Sequence, residues 1–296
     1  MKSTHLLSNE SISKLENLHI KAKKVVEGFI VGLHKSPYHG FSVEFSDHRA
    51  YGLGDEVRHI DWKLWGKTDR FFVKRYEEET NLKAHILIDC SRSMSYSSSN
   101  VSKLEYAKIL GASLSYMLIK NQDAVGLYIF DSKIKKIIPP KSTKGHLSSL
   151  LKEMEKIKPG KKTNISNAIH ECAEKTHKKG LVIVISDLMD DEEKILTGLK
   201  HLLYKGHEVI VFHVLDNEEI EFDFKDRVKF VDLESKKTII ADTRQLQKIY
   251  RKKIAKFIDF YKQNCFKKKI DYVNLNTSYS LDIALSEYVA KRKKLH

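Results

Sequence analysis

The 296-residue chain has only three cysteines, Cys90, Cys172 and Cys265, which lie far apart and form no CxxC pair. That argues against a zinc ribbon and a disulfide framework, and fits reduced thiols in a cytosol. No apolar run is long enough to cross a bilayer. The opening Met1-Lys2-Ser3-Thr4-His5-Leu6-Leu7 passes at once into Ser8, Asn9 and Glu10, so a signal-peptide apolar segment is missing as well. The expectation is a soluble, cytoplasmic protein. Fourteen histidines show no HExxH or other ligand spacing. The chain lacks a GxxxxGK[ST] loop, which argues against nucleotide hydrolysis of the P-loop kind, and a GxSxG elbow. There is no tandem repeat and no low-complexity linker.

Positive charge is in excess. The formal net charge is +14, with runs such as Lys267-Lys268-Lys269 and Lys291-Arg292-Lys293-Lys294. This balance is compatible with nucleic acid, an anionic membrane surface or an acidic protein partner. No helix-turn-helix, RNP or zinc-finger pattern supports the first of these. Acidic patches at Glu77-Glu78-Glu79 and Asp190-Asp191-Glu192-Glu193 break up the field. A lysine-rich solvated face is the simplest reading, with nucleic-acid binding as the alternative class.

Along the chain, apolar residues from about Ser11 to Leu33 recur at steps of three and four, which predicts an amphipathic helix. Ser13 and Glu16 have the spacing of a capping box. A polar, aromatic stretch follows, punctuated by Pro37, Gly40, Gly52 and Gly54. It leads into a dense mixture of charges and two tryptophans, then a short strand over Phe71 to Tyr76. This arm is either a network fastened to the core or a partner surface, since Trp, Tyr and Arg are frequent interface anchors.

From Lys83 the pattern becomes strand–helix alternation. Strands are expected at Ala84–Ile88, Ala124–Phe130, Leu181–Ile185 and Val209–Val214, all near-continuous apolar runs of the kind buried on both faces. Helices are expected at Leu104–Lys120, His146–Ile157, Ile165–Lys178 and Glu192–Tyr204. Ser132–Ile138 reads as an antiparallel edge hairpin ended by Pro139-Pro140. A β excursion near 217–241 places strands at Ile220–Phe222 and Val228–Val231. A long helix (Thr243 to Asn264), a last strand (Asp271–Val273) and a final helix (Ser280 to Arg292) complete the chain. The fold class is therefore α/β: a doubly wound, mostly parallel sheet over 83–296, with an N-terminal helix-plus-β arm over 1–82.

In such sheets, ligands collect at the carboxyl ends of the strands. Asp89-Cys90-Ser91-Arg92-Ser93 follows the first strand, Asp187 follows the third parallel run, and Thr163 precedes a helix. Two carboxylates and three hydroxyls at one rim form a hard oxygen set suited to Mg²⁺, with Mn²⁺ a possible substitute. Turn and capping duty is the plain alternative for the serines. Asp131 and Asp216 also follow strands. Asp131 sits at the edge hairpin and Asp216 follows a strand judged wrong for convergence. No base is placed in sequence to activate Ser91 as a nucleophile, so a metal-dependent hydrolase is the lesser reading and a non-enzyme the expectation.

Asp89-x-Ser91-x-Ser93, Thr163 and Asp187 resemble the metal-ion-dependent adhesion site of von Willebrand factor type A domains. The resemblance implies Mg²⁺ held by these five residues, with a Glu or Asp from a protein partner completing its coordination. Upstream, Glu44-Phe45, Arg49, Tyr51, Gly54-Asp55, Arg58 and Ile60-Asp61-Trp62 resemble the signature of the domain-of-unknown-function 58 family. Asp232-Leu233-Glu234 and Ile270-Asp271-Tyr272-Val273 through Leu285, Tyr288 and Arg292 agree with it. Many members carry two N-terminal membrane helices, which are missing here. Membership implies a bacterial protein often encoded beside a MoxR-type AAA+ ATPase, the pair acting in chaperone-like assembly or maturation of other proteins.

Overall fold

The computed structural model describes residues 12, 15, 17–34, 48–50, 62–68, 70–74, 82–160, 164–176, 179–224, 227–231 and 238–293. Its centre is a six-stranded sheet. The strands are β3 (Lys83–Asp89), β4 (Ala124–Phe130), β5 (Ile134–Lys141), β6 (Leu181–Ser186), β7 (Glu208–Leu215) and β10 (Asp271–Asn276), and they lie in the order β10-β7-β6-β3-β4-β5. All neighbours are parallel except β5, which runs antiparallel along β4 at the edge. The α/β class and the mostly parallel doubly wound sheet expected from the sequence are what the chain adopts.

Alternation along β3 explains why a continuous apolar run is needed. Successive side chains point to opposite faces of a strand. Ala84, Ile86 and Ile88 enter a core shared with α1 (Leu18–His34), α3 (Lys103–Lys120), α4 (Lys144–Glu155) and α9 (Leu281–Lys293). Leu87 enters the opposite core, with α5 (Ile165–Lys175), α6 (Glu192–Tyr204) and α8 (Thr243–Lys267). Both faces are covered, so a polar side chain without a partner is costly at a central strand position. At Gly111 of α3 an added Cβ would stand 2.9 Å from Ile88 Cδ1, so the bare backbone lets the helix lie close on β3.

Several element boundaries differ from the sequence expectation, each for a physical reason. Helix α1 begins at Leu18, where its N–H donates to the Glu155 carboxylate at 2.9 Å, after a break at Leu15 and Asn17. Ile12, before that break, is helical and buried, and Ser13 and Glu16 lie outside the described residues. Pro139-Pro140 does not end β5, which runs on to Lys141. An edge strand can carry prolines because one row of its N–H groups has no ladder partner. The β4–β5 register shifts between Val125 and Leu127, opposite these prolines. The expected strand at Ile220–Phe222 is instead a short helix, α7 (Asn217–Glu221). Asp216 and Glu219 form a reciprocal capping box that nucleates it.

The arm contributes β1 (His48–Ala50) and β2 (Phe72–Lys74), an antiparallel pair, and α2 (Trp62–Thr68). The excursion after α7 is an antiparallel pair of β8 (Arg227–Val231) and β9 (Thr238–Asp242). No helix among the described residues is long and apolar enough to cross a membrane.

Candidate functional site

Strand order reverses direction at the β3/β6 junction. From β3 the chain proceeds to β4 and β5 on one side, then to β6, β7 and β10 on the other. Such a switch point opens a crevice outside the carboxyl ends of two adjacent strands. Asp89 ends β3 and Asp187 directly follows β6, so the two acids flank it.

Both acids are fully buried. Asp89 Oδ1 accepts the backbone N–H of Ser91 at 2.7 Å, and Oδ2 accepts the hydroxyl of Ser186 at 2.6 Å. Burial, and then the nearby Asp187 carboxylate, push the Asp89 carboxyl well above the usual carboxylate range, against the pull of its hydrogen bonds. Two carboxylates withdrawn from water at one point repel one another unless a proton or a cation compensates them.

Ser91 is buried and its hydroxyl oxygen lies 3.0 Å from that of Ser93. Capping does not account for the pair. The 3₁₀ turn Ser93–Ser95 is preceded by Arg92, and no side chain caps it. The two hydroxyls are within hydrogen-bond distance of each other, and the same separation matches two neighbouring ligands on an octahedral Mg²⁺ at about 2.1 Å, which are about 3.0 Å apart. The acid-and-hydroxyl chemistry and this spacing fit Mg²⁺, although no group of three or more His, Cys, Asp or Glu suited to a metal is found among the described residues.

Thr163 lies outside the described residues. The helix after it, α5, is capped by Asn164, and its Ile165 N–H donates to Asp190 Oδ2 at 2.9 Å. That bond ties the start of α5 to the loop after β6. The same loop is fixed elsewhere. Leu188 has a positive φ of 52°, a conformation uncommon for a bulky residue and concentrated at functional sites. His213 Nε2 lies 2.9 Å from the Asp187 carbonyl oxygen and its Nδ1 lies 2.6 Å from the Tyr272 hydroxyl. Burial holds this imidazole neutral, with its pKa lowered to about 4. Nε2 therefore carries the proton and donates it to the carbonyl, and Nδ1 accepts from tyrosine.

One participant that sequence reasoning missed is Lys103. Its ammonium is fully buried, 2.8 Å from Asp187 Oδ2 and 2.6 Å from Glu219 Oε1. Burial alone would lower its pKa, but Asp187 and Glu219 outweigh that and raise it. From the sequence, Asp216 follows a strand expected not to converge with the others. It is in fact buried beside the rim, where it accepts the Ser98 N–H at 3.1 Å and the Thr277 hydroxyl at 3.3 Å. Asp131 behaves as expected: it pairs with Lys135 at 2.7 Å on the edge hairpin.

The arm residues Glu44, Tyr51, Asp55, Arg58 and Asp61 lie outside the described residues. Arg49 lies on β1, paired with Val73. Trp62 is 54% exposed, edge-on to Trp65 with ring centroids 6.1 Å apart, and Trp65 stacks on Phe71 at 5.9 Å.

Fold and rim together define an α/β protein with buried acids and serine hydroxyls at a sheet switch point. The chain belongs to the family described as "Protein of unknown function DUF58", whose model matches residues 47–258. An uncharacterized protein of Mycobacterium tuberculosis is 22% identical over 226 residues, covering 75% of this chain and 70% of that one. A structure described as conserved hypothetical protein BatB from Bacteroides thetaiotaomicron is 21% identical, with a TM-score of 0.49 over 72% of this chain and 99% of that one. The SpRpn10 VWA domain is 13% identical, with a TM-score of 0.39 over 69% of this chain and 93% of that one.

Proposed function

We propose that the crevice is a metal-dependent docking site for another protein. Asp89, Ser91, Ser93, Thr163 and Asp187 would hold Mg²⁺, or Mn²⁺ in its place. The ion supplies a positively charged, oxygen-seeking centre to which a Glu or Asp of the partner is drawn. The chain's own residues do the rest. Ser186 and the Ser91 N–H orient Asp89, His213 fixes the backbone at Asp187, and the lysine-rich surface steers acidic partners.

The observation that carries this reading is the pair of serine hydroxyls 3.0 Å apart beside two buried acids on adjacent strands. His213, beside Asp187, is committed to the carbonyl of that residue and stays neutral, which supports binding over hydrolysis. Family membership motivates the partner: a MoxR-type AAA+ ATPase, with the pair working in chaperone-like assembly or maturation of other proteins.

The test is capture of a MoxR-type ATPase by the full chain, with and without chelator. Capture abolished by EDTA, restored by Mg²⁺ and lost in Asp89→Ala supports the proposal. Capture that survives EDTA overturns it. Salt-sensitive binding of DNA or RNA in place of any protein would move the chain to the nucleic-acid class.

A further inference from the structure

We infer that Lys103 is a tethered counter-cation. Its ammonium and a divalent ion at the rim compensate the same carboxylate, Asp187, so Lys103 sets how tightly the rim holds a metal. The inference rests on the metal reading above and extends it to a residue that reading does not use.

Lysine is rarely fully buried unless paired, because its ammonium loses its hydration. Lys103 is wholly buried and has two short ionic contacts, to Asp187 Oδ2 and Glu219 Oε1. Helix formation does not explain its place. Lys103 is the first residue of α3, after the N-cap Ser102. A cation there faces the positive end of the helix dipole, where an acid would be favoured. The ammonium is therefore held there by the carboxylates, against the preference of its own helix.

Those carboxylates are themselves fixed. Glu219 returns a bond to the Asp216 N–H at 2.9 Å as half of the capping box. Asp216 in turn holds the Ser98 N–H of the loop that follows the serine pair. The Lys103 N–H donates to the Tyr96 carbonyl of the same loop at 3.1 Å. Lys103, Glu219 and Asp216 thus join that loop to the ends of β6 and β7. Asp187 and Glu219 meet the ammonium, Asp89 lies near Asp187 and Asp216 is bonded to Glu219, so the cluster holds more acids than cations. A divalent ion supplies what is missing, and it does so in opposition to the ammonium already seated on Asp187. An ammonium and a divalent ion sharing one carboxylate repel each other, which weakens metal binding several-fold or more at an intermediate effective dielectric.

The experiment is a Mg²⁺ titration of the full chain, followed by thermal unfolding and by calorimetry. It compares wild type, Lys103→Met and Glu219→Gln. Lys103→Met removes the competing charge and leaves Asp187 and Glu219 buried without it. The expected result is a lower melting temperature without metal, a larger rise on adding Mg²⁺ than wild type shows, and Mg²⁺ affinity tighter by about tenfold or more. Glu219→Gln keeps the side-chain shape and leaves the ammonium to Asp187 alone. It is expected to bind Mg²⁺ several-fold more weakly, and it decides the matter if Lys103→Met does not fold.

Equal Mg²⁺ dependence in wild type and the folded variants overturns the counter-cation role while leaving the metal site standing. A Mg²⁺ response in Lys103→Met with none in wild type supports the counter-cation role and overturns metal binding by the natural chain. Absence of any Mg²⁺ response in all three overturns both.

Discussion

Ser186 donates its hydroxyl to Asp89 Oδ2 across 2.6 Å, joining the ends of β6 and β3 at the point where the strand order reverses. The same Ser186 oxygen accepts the Leu188 N–H at 3.0 Å. One hydroxyl thus orients a candidate ligand and holds the turn after Asp187.

Replacing it with Ser186→Ala leaves a buried carboxylate oxygen and a buried N–H each short of a partner. The expected cost is about 1–3 kcal/mol of stability, from the penalty for unsatisfied buried groups. Urea unfolding against wild type measures it. An unchanged midpoint would show that the pair contributes nothing to the fold.

Stability should fall in mild acid because of His85. This side chain is buried on β3, and its Nδ1 has no hydrogen-bond partner among the described residues. Its pKa is lowered from 6.5 to about 4, first by burial, then by His207 and Lys83. The unfolded chain binds a proton near pH 6.5 and the folded chain does not, so stability is complete above that pH and drains away as pH falls towards 4. The loss reaches about 3 kcal/mol for this one group. Unfolding free energies between pH 7.5 and 4.5 should therefore slope less steeply in His85→Leu. A parallel slope in the two proteins would refute the assignment.

Trp62 separates structure from recognition in the arm. Full burial would make Trp62→Ala a core truncation costing about 3–5 kcal/mol. The side chain is half-exposed, so a loss of about 1 kcal/mol or less is expected. Partner capture should fall much further if the aromatic row Trp62, Trp65 and Phe71 anchors an interface. A melting temperature lowered as by a core truncation, with capture intact, would assign the arm to the fold instead.

Much of this architecture is legible in the sequence. Ala84–Ile88 and Leu181–Ile185 read as strands buried on both faces, and they lie side by side in parallel. Asp89, Ser91, Ser93 and Asp187 were legible as a rim because the position of a residue after a strand is a local property. What stayed hidden is long-range. Lys103 lies just before the expected helix Leu104–Lys120, and nothing local says that Asp187 and Glu219 will bury it. Ser186 reads from the sequence only as the residue between a strand and Asp187. Asp216 was excluded by strand order, although β7 lies beside β6 and brings the acid to the same rim. The Asp216-x-x-Glu219 spacing was a usable signal: it marks a capping box, and it overrides the alternation that suggested a strand at Ile220–Phe222.

The central claim is that the serine pair and the two buried acids grip a hard cation. Calorimetric titration of Mg²⁺ into the full chain, repeated with the double variant Ser91→Ala/Ser93→Ala, tests it most directly. The account predicts saturable one-site binding in wild type that is lost in the double variant while its fold persists. Identical binding isotherms for the two proteins would contradict it.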